Sequence, residues 1–161
     1  MGMVLYLRRV DGPIPGDPDE FYDEFMFSED ADANGDLVDF DKAWHAVHFL
    51  LTGSADESDG PLSLLGGKGE PIGEDNGYGP PLLVSAADMS AFNDALAAIS
   101  DDELARRYDA DAMLAADIYL ADALARDGEA GREYVFQGIP ALRRFAEKCA
   151  RQGSDAIVLV S

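Results

Sequence analysis

The side chains best suited to chemistry fall between Asp39 and Gly53, a stretch that holds the only tryptophan and both histidines. Asp41, His45, His48 and Thr52 recur at spacings of four, three and four, so a helix through them carries one polar stripe. A carboxylate one turn from an imidazole sets its tautomer and raises its pKa, an arrangement used in general base catalysis. His45 and His48, three apart, are also spaced to share a metal ion, with no third ligand placed beside them. The plainer reading leaves His48 half-buried with one hydrogen bond and His45 in solvent. Beside the stripe, Phe40, Trp44, Val47 and Leu51 cluster within about 60° of arc, a core-facing side.

The acids ahead of that helix offer a second candidate. Asp30, Asp32, Asn34, Gly35, Leu37 and Asp41 match positions 1, 3, 5, 6, 8 and 12 of a calcium loop. Calcium wants oxygen ligands at such positions, and the glycine permits the sharp turn. Against it, Asp41 replaces the usual Glu, Glu29 and Lys42 stand where apolar residues belong, and no second loop pairs with this one. Asp41 cannot serve the loop and the histidine stripe together.

Other constellations fail on spacing. Gly66, Gly67, Lys68 and Gly69 lack the Ser or Thr that a phosphate loop needs after its lysine. Cys149 sits near a helix C-terminus, where the dipole raises a thiol pKa. No serine occupies a nucleophile elbow. Tyr78, an aromatic flanked by Gly77 and Gly79, reads either as an anchor for its loop or as a ring lining a cleft.

These residues need elements to hold them. Met3 to Val10 reads as a strand, and Asp17-Pro18 opens a helix through about Phe27. An acidic loop over 28–38 leads into the helix from Phe40 to Leu51, closed by Gly53. Seven glycines and four prolines between Gly60 and Pro81 predict a long loop with a short strand or two. Ser85 and Ser100 cap helices over 86–98 and 101–107. Further helices are expected over 110–126 and 139–152, with a turn at 127–131 between them, and a closing strand over 155–160. The whole reads as a single α+β domain over 1–161. Its N- and C-terminal strands share one small sheet, packed against about six helices.

The 161 residues carry a formal charge of −20, with fifteen acids against one base between Asp11 and Gly60. Such a field repels nucleic acid and anionic membranes, and it steers a basic partner inward. Abundant surface acid is also a plain solubility device. No apolar run approaches the roughly 18 residues of a membrane span. The opening residues lack a basic leader, and a lone Cys149 suits a reducing compartment, so a cytoplasmic location is expected.

Asp41-Lys42-x-Trp44, then His48-Phe49-x-Leu51-Thr52-Gly53, resembles the YfbM-like family of uncharacterised bacterial proteins. The likeness takes in Met1-Gly2-Met3, Pro61-Leu62-Ser63, Tyr78-Gly79-Pro80, Ile118-Tyr119 and the final helix and strand. Trp44, His48 and Tyr78 match the pattern; His45 and the Asp30–Asp36 loop lie outside it. Leu120 stands where the pattern has proline. The resemblance implies a compact α+β domain of the bacterial cytoplasm with no established reaction or cofactor.

Whether the chain is an enzyme cannot be read from these residues. The leading expectation is an acidic binding module for a basic protein, of which an antitoxin or immunity role is one form. The alternative is a small-molecule or hydrolytic cleft built from Trp44, His48 and Tyr78, with Asp41 and His45 beside it. A third is calcium binding at Asp30, Asp32, Asn34, Asp36 and Asp41.

Overall fold

The computed structural model describes residues 2–161, so Met1 of the family-like opening lies outside the described residues. The first and last strands are neighbours. β1 (Leu5–Val10) pairs antiparallel with the C-terminal strand along its whole length, from Leu5 opposite Val160 to Val10 opposite Asp155. With β2 (Leu37–Asp39), β3 (Glu70–Pro71), β4 (Leu82–Val84) and β5 (Asp155–Val160), the sheet runs β2-β1-β5-β4-β3, antiparallel throughout. The fold is α+β.

The two central strands are covered on both faces, which strand alternation makes visible. Leu5, Leu7, Ala156 and Val158 join the main core, under the helices. Ile157 and Leu159 turn the other way, into a smaller core with Val10, Phe21 and Met26. On the main-core side α8 (Ile139–Gln152) and α3 (Ala86–Ala97) pack against each other, burying Leu142, Phe145, Met89 and Phe92. Pro140 lies in the first turn of α8, and Gly153 closes it at φ 62°, a left-handed cap that suits glycine.

The second face is closed by an under-wound segment. Asp17 caps it as expected, its Oδ1 accepting from the backbone of Asp19 and Glu20 at 2.9 and 3.2 Å. From Glu20 to Met26, however, the turn is a π-helix, and Phe27 N–H reaches back five residues to Tyr22 O at 3.1 Å. Arg8, from β1, fastens this segment to the sheet. Its Nε donates to Phe25 O at 3.1 Å, and its guanidinium lies 4.3 Å from the Phe25 ring centroid.

Several expected boundaries move. The stretch 28–38 holds α1 (Glu29–Ala33), capped by the Ser28 hydroxyl, and then β2. α2 begins at Trp44 and ends at Thr52, because Asp41 takes φ 52° and cannot continue a helix. α4 (Asp101–Arg107) stands where expected, but the expected helix over 110–126 is broken into α5 (Ala110–Ala115) and α6 (Ala121–Asp127). Between them Asp117 and Leu120 sit at φ 55° and 67°. A proline ring, held near −65°, could not adopt the Leu120 conformation. The turn expected over 127–131 gives way to α7 (Glu129–Phe136).

Candidate functional site

The histidine stripe does not form as expected. Asp41 lies ahead of α2, and its carboxylate accepts the Tyr134 hydroxyl at 2.6 Å instead of facing His45. The Lys42 N–H donates to that same Tyr134 oxygen at 3.2 Å. Burial, and then the Asp41 carboxylate it donates to, push the Tyr134 phenol up to about 12.

His45 is hydrogen-bonded through both ring nitrogens and His48 through one. His45 Nδ1 accepts the Tyr119 N–H at 2.9 Å, so the proton resides on Nε2, which donates to Ala55 O at 2.8 Å. Its ring stacks on Trp44 with centroids 5.2 Å apart. His48 is fully buried, and its Nε2 donates to Asp56 O at 2.8 Å. The ring lies flush against Gly66, where a Cβ would come within 2.2 Å of His48 Cε1. Burial lowers the His48 pKa, outweighing the Asp56 carbonyl that favours the charged ring. Both nitrogens of His45 are thus spoken for, whereas His48 Nδ1 has no hydrogen-bond partner and lies shut away from solvent in the core.

Trp44 is committed as well. Its Nε1 donates to Met3 O at 3.0 Å, while Met3 N–H donates to the Tyr119 hydroxyl at 3.1 Å. Trp44, Tyr119, Tyr134 and the two histidines therefore clasp the N-terminal segment and the 55–66 loop to α2. Tyr78 takes no part. It is 42% exposed on a turn that Asn76 ties to Val160 O at 2.9 Å, whereas His48 has no exposure at all. The cleft expected from Trp44, His48 and Tyr78 is not brought together.

The calcium ligands are dispersed in the same way. Asp30 and Asp32 belong to α1, and Asn34 is its C-cap. Asp36 is buried and taken by cations, with Arg9 Nε at 2.7 Å and Lys148 Nζ at 2.6 Å. Burial would raise its carboxyl pKa, but the hydrogen bonds and charges of Arg9 and Lys148 outweigh that and hold it low. With Asp41 bound to Tyr134, five oxygens cannot converge. Among the described residues no group of three His, Cys, Asp or Glu side chains is arranged to hold a metal.

Open space lies on the opposite face. A groove of about 620 Å³ runs between the 14–22 segment and the glycine-rich loop. Ile14, Pro15, Pro18, Phe21, Tyr22, Ile72 and Pro81 form its apolar wall, with Glu74, Asp75 and Asn76 beside them. Phe21 and Tyr22 meet edge to face, their planes at 87° and centroids 5.0 Å apart. The other wall is shaped by short-range backbone bonds. Ile72 N–H donates to Pro81 O at 2.8 Å, and Asp75 Oδ1 accepts from Gly77 and Gly79 at 2.7 and 3.0 Å. Exposed Asp17, Asp19, Glu20, Asp23 and Glu24 line the neighbouring segment, so the groove opens in a strongly negative field. Sequence reasoning missed it, and the one available signal was the recurrence of Ile and Pro over 13–18 and again at Ile72 and Pro80-Pro81.

A second groove, of about 590 Å³, lies between β2 and α8 and carries Arg144, Lys148 and Arg151. No helix among the described residues is long and apolar enough to cross a membrane.

Known proteins place the chain without assigning it an activity. No curated protein matches it. A solved structure of YfbM, a protein of unknown function from Escherichia coli, superposes with a TM-score of 0.63, covering 98% of this chain and 99% of that one. At 23% identity this likeness speaks to the fold alone. The family model for the domain of unknown function DUF1877 matches residues 1–159, and the chain belongs to that family.

Proposed function

We propose that this protein is a non-catalytic binding module of the bacterial cytoplasm that receives a basic, partly apolar segment of a partner protein. One observation carries the reading: the apolar groove at Tyr22, Ile72 and Pro81 opens among carboxylates in a chain of net charge −20. Apolar residues of the partner fill the groove, while its Lys and Arg side chains meet Glu74 and the acids of the 17–24 segment. Charge of this kind raises the association rate and selects against acidic competitors. An immunity or antitoxin role against a basic toxin is one concrete form. The histidines argue in the same direction: both His45 nitrogens are hydrogen-bonded, and the unpartnered Nδ1 of His48 is buried out of reach of a ligand in either groove.

The test is affinity capture from lysate of the source cell, with wild-type protein and a Tyr22→Ala/Glu74→Lys variant side by side at low and high salt. The reading expects a basic protein retained by the wild type at low salt, released at high salt, and lost by the variant. Identical retention by the two proteins would remove the groove from the account. A catch that ignores salt would remove the electrostatic part.

A further inference from the structure

We propose that the groove between β2 and α8 receives an extended, acidic peptide segment, which adds to the free edge of β2 as another strand. This site is separate from the acidic groove, and Asp39 and Glu147 line it beside its three cations.

β2 ends the sheet and pairs with β1 alone. Toward β1, Asp36 O accepts the Arg9 N–H at 2.8 Å and Phe40 N–H donates to Leu5 O at 2.9 Å. Alternation along an antiparallel ladder then turns the N–H and C=O groups of Leu37 and Asp39 outward, where no strand meets them. A backbone edge of this kind is the template used when peptides bind by strand addition.

The other wall supplies the charge. Arg144, Lys148 and Arg151 follow one another by four and three along α8, so they span about 10 Å of one helix face. A three-residue strand covers about the same length. Lys148 is occupied by Asp36 and by Asn34 O at 2.7 Å, and Arg151 leans on Glu147 at 3.6 Å. Arg144 is exposed and has no carboxylate within ion-pair distance among the described residues. In a molecule of charge −20, Arg144 is the groove's unpaired cation among the described residues, and the point at which a carboxylate is selected at close range. Arg151 is held only by the longer contact to Glu147. The field beyond these cations repels a wholly acidic protein, and a second copy of this chain with it, so the occupant is a short acidic segment. In extended conformation its alternate side chains lie about 6.6 Å apart, near the roughly 6 Å rise between Arg144 and Lys148.

Fluorescence anisotropy on the full chain tests this with a labelled, end-blocked hexapeptide alternating Glu with Val. Saturable binding is expected, weakened roughly tenfold by Arg144→Glu/Arg151→Glu. Methylating alternate peptide nitrogens, which removes the pairing donors, is expected to abolish it. Both substituted side chains are exposed, and an unchanged thermal melt verifies that the variant is folded. The proposal falls if the peptide does not bind, or if the double variant binds it equally well. It falls too if the methylated peptide, or inorganic phosphate, binds as tightly as the parent. A dimer in sedimentation that Arg144→Glu dissolves would also overturn it, by naming a second copy as the occupant.

Discussion

The residues around α2 and those around the 14–22 groove invert the usual relation between chemical promise and availability. α2 holds two imidazoles and an indole, and each is spent on the protein's own backbone, at Ala55, Asp56 and Met3. The groove is made of proline, isoleucine, Phe21 and Tyr22, residues with little reactivity, and it stands open. The difference lies in what each region must close. α2 anchors the first residues of the chain and a long irregular loop, whose carbonyls need donors once buried. The groove borders loops that satisfy their backbones locally, through Asp75 and the Ile72–Pro81 bond, and so need no such anchor. Substitutions around α2 should therefore change stability and leave partner binding alone, and substitutions in the groove should do the reverse.

The largest effect is expected from a third place, the buried ion cluster. Asp36→Ala strands Arg9, whose side chain is 7% exposed, with its Nε bond to Asp36 gone. Leaving one buried charge without its partner costs about 3–5 kcal/mol, readable by urea denaturation at neutral pH. Since the Asp36 pKa is held below the 3.8 of the unfolded chain, its contribution is complete above that value. It disappears as the pH falls through the folded-state pKa, so wild type and variant should converge in acid. Equal stability of the two at pH 7 would show that Asp11 and Ser154 hold Arg9 well enough without Asp36.

Gly66→Ala is the sharper probe of α2. The methyl would collide with the His48 ring, which is buried and cannot swing away, so overpacking of about 1–3 kcal/mol is expected. Affinity for a groove ligand should be unaltered in the folded variant. Loss of that affinity at full occupancy of the fold would join the two regions that the structure separates. A smaller step follows from Tyr134→Phe, which removes the hydroxyl bridging Asp41 and Lys42 at a cost of about 1 kcal/mol. No change in melting temperature would leave the left-handed turn at Asp41 without that support.

What could be read from the sequence depended on whether the deciding interaction was local. Ser85 and Ser100 accept from Asp88 and Glu103 three residues on, and those helices stand where expected. The terminal strands were legible from their own residues, apolar Val4 to Leu7 in the first and β-branched Ile157, Val158 and Val160 in the last. The break between α5 and α6 was not, since nothing marks Leu120 as left-handed. Its neighbour Tyr119 turns its N–H to His45, 74 residues away. The calcium loop fails for the same reason: Asp36 meets Arg9 and Lys148, distant partners that a spacing rule cannot contain. The polar stripe on α2 was read correctly as far as its phase went, from His45 to Thr52. Its purpose is set by carbonyls in the following loop, and those carry no sequence signal at all.

The subtlest separation of the two regions is a pH slope. His48 keeps a pKa below the unfolded value of 6.5 because its ring is buried, and a second proton, on Nδ1, would find no acceptor there. Below 6.5 the unfolded chain gains a proton that the folded ring refuses, so acid favours unfolding. Stability is thus full above 6.5, declines as the pH falls, and levels off below the folded-state pKa. Between pH 6.5 and 5 this should show as a falling urea midpoint, in a range that lies above the titration of ordinary carboxylates. His48→Gln, which keeps a donor for Asp56 O, should flatten that slope, whatever it does to the neutral-pH stability. A slope unchanged in the variant would move the titration elsewhere. A groove affinity that followed the same curve would show that the imidazole reaches the binding face, against the separation on which the comparison rests.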